Sequence, residues 1–399
     1  MSLLSSVALA PRDPILGLNE AFAADPRPDK VNLGVGVYRD AQGRLPLLRS
    51  VREAEQRLVG EAQPRGYLPI DGLAAYDKAV QALLFGEQAA VLAAGRVVTA
   101  QSVGGTSALK IGADFLKRTL PAARVAISDP SWENHRAIFE SAGFEVGVYP
   151  YYDAATHGVN FAGMLDGLRA LHVGDIVVLH ACCHNPTGVD LDGAQWAQVI
   201  EVLRERELVP FLDMAYQGFG EGNEGDAAVV RMFADSGLAV FVANSFSKSF
   251  SLYGERVGAL SVVTADADEA ERVRSQLKRV IRADYSNPPT HGAMLVSTVL
   301  NTPELRALWE EDLGDMRDRI RSMRRGLVAR IAAHGDPRDF SFIVRQRGMF
   351  SYSGLNAEQV ERLREEFGIY AVSSGRICVA ALNDANLDAV ATAIAAVSA

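Results

Sequence analysis

The sequence predicts an α/β fold with parallel βαβ units, on the basis of three observations. Short apolar runs alternate along the chain with stretches of helical periodicity, which is typical of βαβ units. Polar, chemically capable residues follow the apolar part of several runs. The chain has 399 residues, more than one hydrophobic core usually supports, so we expect two domains with a cleft at their interface.

Five apolar runs are predicted strands: RVVTAQS, RVAISDP, DIVVLHACC, LVPFLDMAY and AVFVANSFS. The first is followed by the predicted helix GGTSALKIGADFLKRTL, in which Leu109, Ala113, Leu116 and Leu120 share one face. Ligands bind outside the carboxyl ends of the strands in open α/β sheets. The polar residues that follow these runs should therefore face one crevice.

A long amphipathic helix is predicted for the most basic stretch, MRDRIRSMRRGLVAR. Its apolar residues recur at spacings of three and four, namely Leu313, Met316, Ile320, Met323, Leu327 and Ile331. We interpret the arginines between them as a solvated face rather than as a nucleic-acid site.

The α/β pattern restarts after this helix, with GMFSYSGL, the helix NAEQVERLREEFG, the strand GRICVAAL and a final helix. We expect part of VNLGVGVYRDAQG to join them. The predicted organisation is an N-terminal arm of residues 1–12, a small domain of residues 13–44 and 316–399, and a large domain of residues 45–315.

Composition excludes several classes of protein. A net charge of −9 without a basic stripe predicts no nucleic-acid partner, and no apolar stretch approaches the roughly 20 residues that span a bilayer. The N-terminus lacks the basic segment of a secretory signal. Cys182, Cys183 and Cys378 do not form the pattern of a disulfide framework. We therefore expect a cytoplasmic protein without a membrane partner.

The stretch HACCHNPTG raises the question of a zinc site. Zinc-binding cysteines are normally separated by two or more residues, and adjacent side chains on a strand point to opposite faces. We therefore predict that Cys182 and Cys183 bind no metal. Asn185 lies in the following turn and can bond either its own backbone or a ligand.

Two strand ends carry candidate ligand groups. Gly104, Gly105 and Thr106 open a helix and offer bare N–H groups for a phosphate, although the same residues also make an ordinary turn and N-cap. Asp213 ends an apolar run, where a buried carboxylate needs a partner. A cationic ring nitrogen would serve, and so would a helix N-terminus.

Lys248 follows the last predicted strand, within SFSKSFSLYGER. Ser245, Ser247 and Arg256 could bind an anion beside it, and burial with nearby positive charge would depress the lysine pKa. The alternative is an exposed lysine in a loop. A phosphate cradle, a buried aspartate and such a lysine together are what pyridoxal phosphate requires.

Over nearly its whole length the sequence resembles the aspartate and aromatic amino acid aminotransferases, and most closely the bacterial aromatic enzymes. The motifs are DPILGLNEAF, VNLGVGVY, GYLPIDG, GGTSAL, SDPSWENH, HACCHNPTG, LDMAYQGF, SFSKSFSLYGERVGAL, RADYSNPPTHGA, GMFSYSGL and SSGRICVA. The resemblance implies the fold type I architecture of pyridoxal phosphate enzymes, a large domain with a mostly parallel sheet between helices plus a small α/β domain. It also implies ping-pong transamination with 2-oxoglutarate through pyridoxamine phosphate.

The resemblance implies roles for individual residues. Lys248 would form the Schiff base with the cofactor and then move the proton at the substrate α-carbon. Asp213 would pair with the pyridinium nitrogen, supported by His135, while Asn185 and Tyr216 would bond the phenolic oxygen. The implied phosphate ligands are Gly105, Thr106, Ser245, Ser247 and Arg256.

Other implied contacts concern the substrate and a second subunit. Trp132 would stack on the cofactor ring and border the substrate, together with Asn185. Arg376, near Gly36, would bind the α-carboxylate. Tyr67, as a phosphate ligand, and Arg282, as the ligand of a side-chain carboxylate, would come from the neighbouring subunit of a homodimer.

Departures from the family pattern bear on the substrate. Leu45 and Gly66 stand where strict aspartate enzymes tend to carry Thr and Asn, which predicts a more apolar and roomier cleft beside Tyr67. Thr106, Asn287 and Arg39 follow the dicarboxylate pattern, and Arg282 is retained. We therefore expect tyrosine and phenylalanine as donors, with aspartate also accepted.

Three alternatives stay open at this point. The first is a predominantly aspartate aminotransferase. The second is a lyase or decarboxylase on the same fold, because fold does not determine chemistry; the pair Arg282 and Arg376 speaks against it. The third is a non-enzymatic ligand sensor, for which we would expect an additional signalling domain.

Overall fold

The computed structural model describes residues 2–10, 15–334 and 338–398. The helices α1 to α15 are Leu16–Ala24, Arg49–Glu61, Ala74–Phe85, Ala90–Ala93, Gly104–Thr119, Glu133–Ser141, Phe161–Arg169, Gly193–Glu205, Asn223–Asp235, Ala267–Asp284, His291–Asn301, Pro303–Ala333, Phe342–Arg345, Ala357–Phe367 and Leu387–Ser398. The strands β1 to β13 are Val31–Asn32, Val97–Val103, Val125–Asp129, Val146–Pro150, Tyr152–Asp153, Gly158–Val159, Ile176–His180, Val209–Met214, Val240–Ser245, Val257–Val263, Phe350–Tyr352, Ile369–Tyr370 and Arg376–Cys378. A short 3₁₀ helix spans Val379–Ala381.

A seven-stranded sheet with the order β2-β10-β9-β8-β7-β3-β4 forms the centre of the chain. The pairs from β9 to β4 are parallel, and β10 is antiparallel to both of its neighbours. All five predicted strands are confirmed, as β2, β3, β7, β8 and β9. Their carboxyl ends, and the start of β10, therefore lie along one edge.

Sequence reasoning missed two strands of this sheet. Strand β4 has the sequence VGVYP, and glycine and proline are both disfavoured inside strands. Strand β10 is an apolar run directly after the polar SFSKSFSLYGER stretch, and the sequence analysis assigned no strand there.

Two apolar layers cover the sheet. On β7, Ile176 and Val178 face one layer, whereas Val177 and Leu179 face the other. This follows from the alternation of side chains along a strand. Helices α5 and α10 contribute to the first layer and α8 and α9 to the second, which confirms the predicted α/β sandwich.

The predicted long helix is α12, and its six apolar residues are buried. The interpretation of its arginines as solvated is wrong for Arg324, which is 2% exposed. Its guanidinium donates to backbone carbonyls of residues 343–350 at 2.6 to 3.3 Å. The spacing carried this signal, because Arg324 lies four residues after Ile320 and three before Leu327.

The C-terminal elements gather beside the N-terminal segment. Strand β1 pairs in parallel with β12, with Val31 opposite Ile369, and β11 pairs with β13. The predicted boundary at residue 315 falls inside the continuous helix α12, and the boundary at residue 12 lies outside the described residues. The division into domains therefore stays a prediction. Within the described ranges, no helix is both long and apolar enough to cross a bilayer.

Candidate active site

A cavity of about 290 Å³ opens where the strands of the central sheet end. Residues at the ends of the sheet strands form one side of the cavity, and residues 35–37 and Phe350 form the other side. Twelve of the fifteen predicted site residues line it, namely Gly36, Gly105, Thr106, Trp132, Asn185, Asp213, Tyr216, Ser245, Ser247, Lys248, Arg256 and Arg376. The ends of the strands thus bring together residues that are far apart in the sequence, at the place where ligands bind in open α/β sheets.

The other three predicted residues do not line this cavity. His135 stands directly behind it, in contact with Asp213. Tyr67 is 95% exposed, and Arg282 is exposed in the last turn of α10. Within the single described chain, neither of these exposed side chains reaches the cavity.

The amino end of α5 forms one wall of the cavity. Residue Val103 at the N-cap provides no side-chain hydrogen bond, so the turn and N-cap alternative for Gly-Gly-Thr does not describe this helix. A Cβ on Gly104 would lie 2.5 Å from a terminal nitrogen of Arg256, and one on Gly105 would lie 3.0 Å from Cβ of Ser245. Glycine favours this close approach, and Gly104 in addition has a positive φ of 76°. The positive end of the helix is thus left open toward the cavity.

Hydroxyl and guanidinium groups converge on the same helix end. Ser245 Oγ lies 3.2 Å from Ser247 Oγ. Arg256 Nη1 donates to Ser247 Oγ at 3.3 Å and to the carbonyl of Tyr253 at 3.0 Å. Together they make a group of donors suited to an anion such as phosphate.

Asp213 lies in β8 and accepts a hydrogen bond from His135, whose Nε2 is 2.9 Å from Asp213 Oδ2. His135 Nδ1 lies 2.9 Å from Ser131 Oγ, so the imidazole is held from both sides. Burial alone would raise the pKa of Asp213, but the His135 bond and nearby positive charge, including Lys248, bring it below its usual value. Asp213 is thus an ionised carboxylate inside the cavity, and not a helix cap.

Lys248 lines the cavity and is partly buried, and its Nζ lies 5.0 Å from the centre of the Tyr216 ring. Burial lowers the pKa of Lys248 to about 8, and the charges of Arg256 and Arg376 act in the same direction, while Asp213 opposes them. The alternative of an exposed loop lysine is therefore wrong. Burial also raises the pKa of the Tyr216 hydroxyl, which stays protonated.

Arg376 lies in the opposite wall of the cavity, and the residue is 1% exposed. It donates to Asn185 Oδ1 at 3.0 Å and to the carbonyl of Gly34 at 2.7 Å, and it stacks 4.3 Å from the Phe350 ring. Its buried Nε has no partner among the described residues. A Cβ on Gly36 would lie 2.6 Å from the Phe350 ring, so glycine keeps this wall open.

Eight residues that line the cavity were not predicted as site residues, and three of them, His180, Tyr253 and Phe350, carry a ring that faces it. Buried Nε2 of His180 has no partner in the described structure, and burial lowers the pKa of this histidine to about 3. His180 is the last residue of β7, so its position at a strand end carried the signal. Phe350 had no comparable signal, because it reaches the cavity from a distant part of the sequence.

One of the two reasons against a zinc site, the opposite faces of a strand, does not apply, because Cys182 and Cys183 lie beyond the end of β7. Cys183 adopts a positive φ of 52°, and both thiols come within 4.8 Å of each other and of the Asp226 carboxylate. That carboxylate already accepts three backbone N–H groups of residues 218–221. His184 is bonded at both ring nitrogens, by Ser128 and Thr187.

Known proteins resemble this chain over its full length. Residues 28–394 match the family "Aminotransferase class I and II". The aspartate aminotransferase of Pseudomonas aeruginosa is 69% identical, with 99% of each chain covered. The aromatic-amino-acid aminotransferase of Escherichia coli is 55% identical, with 96% of this chain and 97% of the relative covered.

A solved structure extends the likeness to three dimensions. The aromatic-amino-acid aminotransferase from Burkholderia pseudomallei, covalently bound to pyridoxal phosphate, is 70% identical, covers 100% of both chains and superposes with a TM-score of 0.98. The matches in sequence and in fold agree with the cavity just described, and the chain belongs to the class I and II aminotransferases.

Proposed function

We propose that this aminotransferase binds pyridoxal phosphate and moves an amino group between an L-amino acid and 2-oxoglutarate, with tyrosine and phenylalanine as donors and aspartate also accepted. One observation carries the proposal. Lys248, of lowered pKa, shares a single cavity with an ionised carboxylate, Asp213, and two buried or half-buried guanidinium groups, Arg256 and Arg376. The similar Burkholderia enzyme, which carries this cofactor, supports the choice.

The donor groups in the cavity fit the cofactor. Its phosphate would be held at the open end of α5 by Gly105, Thr106, Ser245, Ser247 and Arg256. A Cβ at Gly104 would collide with the guanidinium of Arg256. Asp213 would pair with the pyridine nitrogen, Asn185 and Tyr216 would bond the ring hydroxyl, and Trp132 would stack on the ring. When bound, pyridoxal phosphate supplies an electron sink for negative charge at the substrate α-carbon.

The protein groups would do the remaining work. A lysine with a pKa of about 8 has a neutral amine available near neutral pH, so Lys248 can take a proton from the substrate α-carbon and return it. His135 holds the Asp213 carboxylate in place. Arg376 would bind the substrate α-carboxylate, for which its unpartnered Nε–H is free.

The preference for aromatic donors is supported by apolar walls. Val35, Val37, Leu109, Trp132 and Phe350 all line the cavity. The alternative of a predominantly aspartate enzyme is supported by the name of the Pseudomonas relative.

We also propose a homodimer with shared active sites, acting in the cytoplasm. Apolar residues exposed on the N-terminal arm, among them Leu3 at 94% and Leu9 at 100%, support an interface there. Exposed Tyr67 and Arg282 would complete the partner's cavity. The three cysteines are buried and free, which supports a reducing compartment.

A panel of donors with 2-oxoglutarate as acceptor tests the reaction and the substrate. We expect kcat/KM for phenylalanine and tyrosine to lie within about tenfold of the value for aspartate. An excess for aspartate of about a thousandfold would establish the alternative. Repeated turnover of the donor without an amino-group acceptor, beyond the single keto acid per chain that the first half of a ping-pong cycle releases, would indicate a lyase or decarboxylase. Absence of turnover with every donor would indicate a binding protein.

A further inference from the structure

A second cavity, of about 320 Å³, is lined by six arginines. We call it the arginine cavity, and its arginines are Arg317, Arg321, Arg324, Arg325, Arg345 and Arg347. It lies between α12, the segment 344–348 and the loop 219–221 that follows β8. None of these arginines lines the active-site cavity.

Positive charge exceeds negative charge in this cavity. Glu221 is the one carboxylate among the residues that line it. It lies 3.2 Å from Arg321 Nη2 and 3.1 Å from Arg347 Nη2, so one carboxylate serves two guanidinium groups. Asp318, outside the lining, approaches Arg321 to 3.8 Å and Arg317 to 4.0 Å. The whole chain carries a net charge of −9, which makes this local excess of arginine unusual.

Two of the arginines are exposed and have no ion pair. Within the described residues, no carboxylate lies within 4.0 Å of Arg325 or Arg345. Arg345 acts at longer range on Asp339, whose pKa lies below its usual value mainly through hydrogen bonds from Ser341. Arg324 differs from the rest, because it is buried and its donors are used by carbonyls of residues 343–350 and by Ser351 Oγ.

We propose that the arginine cavity binds a small multivalent anion of the phosphate or polycarboxylate type. Planar guanidinium groups bind such oxygens in pairs, and a concave surface concentrates their field. Arg321, Arg325, Arg345 and Arg347 would contact the ligand, and Glu221 would compete with it. The volume suits a small molecule.

Binding there would join α12 to the loop after β8. Loop carbonyls already accept from this helix, at 3.0 Å between Arg317 Nη1 and Gly218 O and 2.7 Å between Arg321 Nη2 and Gly220 O. A ligand that binds only the folded chain raises its melting temperature. The site therefore has a readout that does not depend on catalysis.

Calorimetric titration of the holoenzyme with citrate and with pyrophosphate, at constant ionic strength in sodium chloride, tests the proposal. We expect one bound anion per chain outside the active site, and the tighter of the two probes identifies the preferred chemistry. The double variant Arg325→Gln/Arg345→Gln should bind at least about tenfold more weakly. Glu221→Gln should bind more tightly and shift the melting temperature upward with less ligand.

Three controls decide the outcome. Arg362→Gln/Arg364→Gln removes the same charge from the exposed face of α14 and should leave affinity unchanged. Arg376→Gln should keep this binding event while abolishing binding of the probes in the active site. Equal weakening by both double variants, loss of binding in Arg376→Gln, or affinity no better than that of chloride would each overturn the proposal.

Discussion

At the scale of single residues, the candidate site depends on two shifts of pKa with opposite physical causes. Asp213 is buried, yet the hydrogen bond from His135 and the surrounding positive charge keep it ionised. Lys248 is lowered to about 8 chiefly because burial disfavours its charged form. An amine that can lose its proton near neutral pH, beside an ionised carboxylate, is the combination that proton transfer next to a cationic ring requires.

Replacement of Lys248 is the most direct test of its role. Lys248→Ala removes both the amine that would link the cofactor and the group that would move the proton. We expect the visible absorbance of the linked cofactor to vanish and kcat to fall by about a thousandfold or more. Lys78→Ala, an exposed lysine on α3, should change neither the spectrum nor the rate. Retention of spectrum and rate in Lys248→Ala would falsify the assignment.

The sequence allowed most of these residues to be predicted, for a definable reason. Asp213, Ser245 and Lys248 stand at or just beyond strand ends, where position alone indicates a ligand site. Arg376 was found only through a family resemblance, because nothing in the short stretch around it distinguishes it from a surface arginine. Phe350 was missed, since its place in the cavity depends on how β11 packs against distant elements.

At the scale of secondary-structure elements, the prediction of helix α12 was correct, whereas the interpretation of its arginines as solvated was wrong at one position. The apolar spacing identified the helix, but Arg324 lies on its buried face. The guanidinium donates hydrogen bonds to backbone carbonyls within residues 343–350 and so holds this segment in place. The segment includes the start of β11, and one of the accepting carbonyls is that of Phe350. Burial lowers the pKa of Arg324 to about 10, and the group still remains charged near neutral pH.

Removal of that guanidinium should destabilise the fold. Arg324→Met would leave several buried carbonyls without donors, at a cost of about 3 kcal/mol or more. Because Phe350 stacks on Arg376, the KM for the amino acid should also rise. Denaturant unfolding with parallel kinetics measures both effects. Arg325→Met, the exposed neighbouring arginine, should change the free energy of unfolding by less than about 0.5 kcal/mol; equal losses in the two variants would contradict the role given to Arg324.

At the scale of the whole molecule, two of the predicted site residues, both on the surface, do not line the active-site cavity of the single chain. Tyr67 is 95% exposed and Arg282 is exposed at the end of α10, although both are expected to contact ligands. The N-terminal arm exposes Leu3, Leu4 and Leu9, which a monomer gains nothing by presenting to water. A symmetric dimer would bury apolar surface and would place Arg282 in the partner's cavity.

Hybrid dimers distinguish a contribution from the partner from one within the same chain. Mixed Lys248→Ala and Arg282→Ala chains would form about half hybrids, each with one site that has Lys248 from one chain and Arg282 from the other. If Arg282 acts across the interface, aspartate turnover should recover to about a quarter of the wild-type value per chain. If it acts within its own chain, no hybrid site is intact and aspartate turnover stays at the level of the parent variants. Phenylalanine turnover of Arg282→Ala alone serves as the control, because an aromatic side chain does not need that guanidinium.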